Sequence, residues 1–232
     1  MSRRSRSFRR WLRSLVGRDV FQRPQCRLPM LTLGRGHGRW MVWPDPIRPD
    51  TVVYSFGVGR DVSFERDLIA RFGVTIHAFD PTPLSLEWAR REQLPPGFVL
   101  HEVGIAEYDG VARFAGPAQS DWDSFSMVRE SGIGDAVEAP VARLATLVAR
   151  VGGAPPELLK LDIEGAEYRV LPDLLGSGFR PRQILVEWHH RWAETGARAT
   201  RDTTRLLNRA GYRVASVSDN GREYTFVLQP PG

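Results

Sequence analysis

Carboxylates and imidazoles able to handle protons or cations are concentrated in two short stretches of this sequence. Asp162 and Glu164 lie two residues apart in Leu159-Lys-Leu-Asp-Ile-Glu-Gly-Ala-Glu167. On an extended segment that spacing points both side chains the same way. Two like charges so placed are costly unless they meet a positive group or share a proton. Glu167 falls where the first turn of a helix favours a carboxylate, and capping accounts for it. Glu187-Trp-His-His190 adds a carboxylate and two imidazoles. Strand alternation puts Glu187 and His189 on one side, with Trp188 and His190 on the other. Asp162, Glu164 and His189 are therefore candidates for a general base, or together for the oxygen and nitrogen ligands of a divalent cation. The competing explanation for the two histidines is a pair on the surface. No metal site is predicted, although a divalent ion would be compatible.

A second constellation lies upstream. Ser55-Phe-Gly-Val-Gly-Arg-Asp61 follows a short β-rich run. Gly57 and Gly59 let the backbone approach a ligand where a Cβ would collide. A dinucleotide fingerprint would need glycine at position 62, which is Val62. Asp80 stands at the end of the next apolar run, where a carboxylate can accept both hydroxyls of a ribose. Its structural alternative is a turn carboxylate ahead of Pro81. Strand, glycines, helix, strand and acid in that order favour nucleoside binding.

The elements that would hold these groups alternate. Thr51–Phe56 reads as a strand, and Phe64, Leu68, Ile69 and Phe72 then share one helical face up to Gly73. Val74–Phe79 is a second strand, followed by a helix with Leu84 and Trp88. Phe98–Val103 is a third strand, Val111–Phe114 a further short one, and 115–137 a polar loop. Leu144, Leu147, Val148 and Val151 mark a helix stopped by Gly152-Gly153. Leu158–Ile163 is the fourth main strand, leading to a helix from about Gly165 with a break or new turn at Pro172. Ile184–Trp188 is the fifth strand, and a helix with Leu206, Leu207 and Ala210 ends at Gly211. Tyr212–Val217 and Tyr224–Leu228 form a terminal hairpin around 218–222. This rhythm implies an α/β fold, a mostly parallel sheet covered on both faces with one antiparallel strand. The carboxyl ends of its parallel strands share one edge, where ligand chemistry belongs.

Composition bounds the rest. The chain has 232 residues, 42% of them apolar, with 32 basic and 27 acidic side chains for a net charge of +5. That suits one globular domain with extensions, and no apolar run approaches the roughly 20 residues of a membrane span. A single cysteine, Cys26, excludes an intrachain disulfide framework and a multi-thiolate zinc site. Residues 1–27 carry nine arginines against Asp19, a net +8; the remaining 23 basic and 26 acidic residues leave the body at −3. Within this leader Phe8, Trp11, Leu12, Leu15 and Val16 fall at helical spacing, so weak peripheral membrane contact is open to it. A solvated, poorly ordered arm is the simpler expectation. Residues 28–50 form a Gly/Pro/Trp-rich lead-in expected to pack on the domain, and residues 51–229 form the domain itself. Arginine supplies every basic residue but Lys160, which reads as coding bias without functional content.

The residues of Val52–Val227 resemble the FkbM-type methyltransferases of the class I S-adenosylmethionine-dependent fold. Leu159-Lys-Leu-Asp-Ile-Glu-Gly-Ala-Glu-Tyr-Arg-Val-Leu171 is the most specific piece. Val53–Gly59, His77–Pro83, Asp-Ser-Phe-Ser126 and Leu185–His190 support it. The resemblance implies a Rossmann-like, seven-stranded sheet of order 3-2-1-4-5-7-6 and S-adenosylmethionine as cofactor. It implies that Gly57 and Gly59 border the cofactor, that Asp80 takes the ribose, and that Asp162 and Glu164 lie near the methionine moiety and acceptor. The corresponding placement runs the cofactor over Ser55, Phe56, Gly57 and Gly59, past Asp80 and Pro81, with adenine near Gly104 and Ile105. O-methylation of a sugar or secondary-metabolite hydroxyl in the cytoplasm is the expected activity, with a small-molecule or carbohydrate acceptor and no specific nucleic acid. The alternatives are a nicotinamide-dependent oxidoreductase on a related sheet, disfavoured by Val62 and the terminal hairpin, and a non-catalytic adaptor working through the arginine tail.

Overall fold

The structure is a computed structural model that describes residues 10–14, 16–115, 126–127 and 136–229. Seven strands form the central sheet. Along the chain they are β3 (Val53–Phe56), β4 (Ile76–Phe79), β5 (Phe98–His101), β9 (Leu158–Leu161), β10 (Gln183–Glu187), β11 (Tyr212–Val217) and β12 (Glu223–Leu228). In space the order is β11-β12-β10-β9-β3-β4-β5. Five strands pair in parallel through β10, β9, β3, β4 and β5, while β12 runs antiparallel to both β10 and β11. The sheet is thus α/β and mainly parallel, as the alternation implied. Counting only these strands along the chain, their order is 3-2-1-4-5-7-6.

Alternation along the strands feeds two cores, as a sheet covered on both faces requires. Tyr54, Phe56, Leu159, Leu161, Ile184 and Val186 face one core. It also takes Leu144, Leu147 and Val148 of α3 (Leu144–Arg150), and Val170, Leu171, Leu174 and Leu175 of α4 (Glu167–Gly176). Val53, Ile76, Leu158 and Leu185 face the other, with Phe64 and Leu68 of α1 (Ser63–Phe72). Fully burying each of those two side chains contributes about 2 kcal/mol. Gly73 closes α1 at φ +67, its N–H reaching the Ile69 carbonyl at 2.8 Å, the glycine stop read from sequence. The remaining helices are α2 (Pro83–Arg91) and α5 (Gly196–Arg209).

Three features differ from the sequence reading. Helix α4 runs unbroken through Pro172, because its buried leucines and valine on one face hold the turn that lacks an N–H. A small sheet of β6 (Gly104–Ile105), β8 (Val137–Ala142) and β7 (Gly110–Phe114) stands beside the main one. Its central strand went unread because Glu138 and Pro140 interrupt the apolar positions. The lead-in also forms a hairpin, β1 (Leu31–Leu33) with β2 (Trp40–Val42), which adds Leu33, Trp40 and Val42 to the α1-side core. Trp43 and Gln183 tie it down through paired amide bonds of 2.9 and 2.8 Å.

Part of the arm expected to be solvated is built into the body. Asp19 is fully buried, and its carboxylate receives His190 Nε2 at 2.8 Å and Arg191 Nη2 at 3.0 Å. Phe8 and Leu15 lie outside the described residues, as does most of the polar loop, including Asp123, Ser124 and Phe125. No helix among the described residues is long and apolar enough to cross a membrane.

Candidate active site

Where β3, β4, β9 and β10 end, a cavity of about 570 Å³ follows the carboxyl edge of the sheet. Its glycine turn begins with Gly57 at φ +70, whose N–H reaches the Phe79 carbonyl at 3.0 Å. A Cβ there would lie 1.7 Å from the Asp162 carbonyl oxygen, so only glycine lets β3 and β9 end side by side. Gly59, at φ +54, has open space where its Cβ would be. Its N–H donates to Asp80 Oδ2 at 3.0 Å, while Asp80 Oδ1 receives the Thr82 N–H and hydroxyl at 2.9 and 2.6 Å. Asp80 is therefore a turn carboxylate, as its structural alternative held, and it also lines the cavity.

Phe56, Gly57, Gly59, Asp80, Pro81, Gly104, Ile105 and Asp162 all line this cavity. At Gly104 a Cβ would lie 3.0 Å from the Pro81 ring and 3.2 Å from the Val141 side chain, closer than most side chains pack. Ser55 is the exception. It points to the opposite core, with its hydroxyl donating to Glu65 Oε1 of α1 at 2.6 Å. Alternation at the end of β3 turns Ser55 away from the face that Phe56 occupies.

At the β9 and β10 end, Asp162, Glu164 and His189 converge, each offering one ligand atom within 4.8 Å of the others. Such a set could hold a divalent cation or move a proton. Glu164 achieves its position with φ 51, the one positive value at a non-glycine residue among those described. Strain of this kind concentrates at functional sites. Its Oε2 lies 3.1 Å from His189 Nε2, and Glu167 Oε1 lies 3.1 Å from His189 Nδ1. Glu167 Oε1 also accepts the Ile163 and Gly165 N–H groups at 3.0 and 3.3 Å. Capping is thus only half its task, and it orients the site histidine as well. Neither histidine is on the surface: His189 and His190 are 4% and 2% exposed. As alternation required, Glu187 and His189 line the cavity and Trp188 and His190 do not.

Burial works against a charge on His189, but Glu167 and Glu164 outweigh it and raise its pKa well above the usual imidazole value. In that state both ring nitrogens carry protons, and the imidazolium is a donor with no lone pair for a base. Burial pushes Asp162 up to about 7, with Lys160 and His189 opposing and Glu164 and Glu167 adding to the rise. Glu187 is also raised, first by burial and then by Asp162, with His189 and Arg222 opposing; Arg222 Nη1 lies 3.0 Å away.

The lead-in supplies a wall that sequence reasoning missed. His37, Gly38 and Trp40 line the cavity, and Asp61 Oδ2 accepts the Gly38 N–H at 3.1 Å. The only available signal was Asp61 itself, directly after the glycine turn.

The family model described as the methyltransferase FkbM domain matches residues 43–214. The 31-O-demethyl-FK506 methyltransferase FkbM of Streptomyces tacrolimicus is 24% identical over 204 residues, covering 75% of this chain and 76% of that protein. The crystal structure of methyltransferase FkbM from Methylobacillus flagellatus KT superposes with a TM-score of 0.50 at 13% identity, over 78% of this chain. Only 44% of that longer chain is covered, and the likeness is one of fold. With most of its sheet and the whole glycine-to-histidine edge inside the matched span, this chain belongs to the FkbM methyltransferase family.

Proposed function

We propose that the cavity binds S-adenosylmethionine and that the chain methylates a hydroxyl of a small-molecule or carbohydrate acceptor. The observation that carries this is a single cavity joining the Gly57–Asp80 turn to the Asp162, Glu164 and His189 cluster, in a member of a methyltransferase family. Its volume suits a nucleoside with an amino-acid tail. The residues present fit that group: Gly59 leaves open space beside the turn, Asp80 presents a buried carboxylate, and Gly104 keeps the wall flat against Pro81. When bound, the donor supplies an electrophilic methyl on a sulfonium.

The chain's own residues must then orient the acceptor and take its proton. Asp162 suits the second task, because a base poised near 7 is half available at neutral pH and still basic enough to accept. His189, charged and held by two carboxylates, donates a hydrogen bond instead of removing a proton. Glu187 is paired with Arg222 and so does not compete as a free charge. The name of the S. tacrolimicus relative specifies an O-methylation, which supports oxygen as the acceptor atom here.

Calorimetric titration tests the reading. S-adenosylmethionine should bind one to one while NAD does not, and Asp162→Asn should retain nucleoside binding. With an acceptor found by screening polyols and macrolide alcohols with labelled donor, that variant should lose about 10²- to 10⁴-fold in turnover. Absence of S-adenosylmethionine binding to the folded chain overturns the proposal.

A further inference from the structure

One buried cation at the cavity has no part in the functional reading so far. Lys160 is the single lysine of the chain and is 4% exposed. It lies on β9 in register with Ser55 of β3, beneath the glycine turn. Its Nζ donates to the Gly57 carbonyl at 3.2 Å and lies 3.7 Å from Glu65 Oε1. Trp40 covers it, with the ring centroid 5.3 Å from Nζ. An ammonium has three N–H donors; the Gly57 carbonyl accepts one, and Glu65 lies at ion-pair distance, beyond a hydrogen bond. Lys160 also lines the cavity.

We propose that Lys160 binds the carboxylate of the donor's amino-acid tail and thereby selects donors that carry one. This rests on the donor reading above. Strand order makes the placement: Asp80 ends β4, Gly57 follows β3 and Lys160 is near the end of β9, the next strand along. Neighbouring strands are about 4.8 Å apart, so β4 and β9 are separated by about 10 Å. A ribose at Asp80 with adenine toward Gly104 and Ile105 sends the tail across Gly57 to β9. Asp61 and Asp162, which line that end, attract an ammonium and repel a carboxylate. Arg60, the other cation at the turn, is exposed to solvent. A buried, charge-assisted hydrogen bond from Lys160 is the stronger anchor. The tail's two charges would thus be read separately, the amine by Asp61 and the carboxylate by lysine.

The test is a cycle of two nucleosides and two proteins. S-adenosylhomocysteine and 5′-methylthioadenosine share adenosine and a thioether, but only the first carries the amino-acid tail. Each is titrated calorimetrically into the full chain and into Lys160→Met, whose folding is checked by thermal melting. The variant should lose about 10- to 100-fold in affinity for S-adenosylhomocysteine and less than about threefold for methylthioadenosine. Equal losses for both, or no loss for either, overturn the assignment, since a lysine that only braces the Gly57 carbonyl would affect them alike. Should Lys160→Met not melt cooperatively, Lys160→Gln, which keeps an N–H for that carbonyl, carries the same comparison. If the unaltered chain binds neither nucleoside, the donor reading falls, and this inference with it.

Discussion

Replacing Gly57 by alanine should damage the molecule far more than replacing Gly59, although both glycines sit at positive φ in one turn. Both variants incur the left-handed conformation, which costs an L-residue about 1–2 kcal/mol, partly offset by the stiffer unfolded chain. Gly59→Ala should show little more than this, about 1 kcal/mol, because nothing lies within 4 Å of its added methyl. Gly57→Ala also drives a Cβ to 1.7 Å from the Asp162 carbonyl oxygen, where contacts below 3.0 Å are essentially never seen. That oxygen is backbone and cannot rotate away, so the ends of β3 and β9 must part. Overpacking of this kind adds about 1–3 kcal/mol, for a total of about 3 kcal/mol or more. For a chain of this size, thermal unfolding should fall by about 2–4 °C for Gly59→Ala and at least about twice that for Gly57→Ala. Separation of the strands also distorts the glycine turn that lines the cavity, so Gly57→Ala should lose S-adenosylmethionine binding in calorimetry even at temperatures where it is folded. Equal melting losses in the two variants, or a milder loss at Gly57, would refute the idea that this backbone approach sets the width of the cavity.

Asp19→Ala should cost about 3 kcal/mol in urea unfolding, because it strands the buried His190 and the Arg191 guanidinium it holds. Burial opposes the Asp19 charge, yet His190, Arg191 and the Val20 N–H hold its pKa down at about 2. Its contribution is therefore complete above the usual carboxylate range and is lost as pH falls through about 2. His77 and His101 sit 3.0 Å apart with pKa values lowered by burial, so they are neutral when folded. Their contribution is full above the ordinary imidazole pKa of about 6.5 and declines as pH drops toward the lowered folded values, so melting between pH 7 and 5 should decline less in His77→Gln. Glu167→Gln removes one of the two carboxylates that keep His189 charged, and the His189 imidazole resonances should titrate at lower pH than in the unaltered chain.

Much of the sheet was legible because its signals are local. Short apolar runs ending in glycine or aspartate mark β3, β4 and β9, and a polar turn between two β-rich runs marks the β11–β12 hairpin. The pieces that were not legible depend on partners far away in sequence. Residues 31–33 and 40–42 carry too few positions for periodicity, and they become strands because Trp40 and Val42 bury against α1 and the sheet. Strand β8 hides behind Pro140, which is tolerated because β6 pairs only with Val141 and Ala142 and so asks no hydrogen bond of Pro140.

The same division runs through the site. Asp162, Glu164 and His189 were readable as a set, because strand ends place residues predictably and two-residue spacing fixes which side chains share a face. Ser55 was misread for the complementary reason. Its position beside the glycine turn is local information, but its facing is decided by Phe56, which claims the cavity side and leaves Ser55 to Glu65. Glu167 and Lys160 show what local reading cannot supply. A carboxylate in the first turn of a helix has a sufficient reason to exist, so nothing in its neighbours announces that it also fixes His189, 22 residues on. Lys160, the sole departure from arginine among the basic residues, carried a compositional signal, but its meaning depends on Trp40 lying over it and Glu65 beneath. A compact ammonium fits under an indole with one donor on the Gly57 carbonyl and its charge beside Glu65. A planar guanidinium has its donors fixed in one fork. Lysine at this position therefore follows from the enclosure, whatever the coding bias that set the rest of the chain.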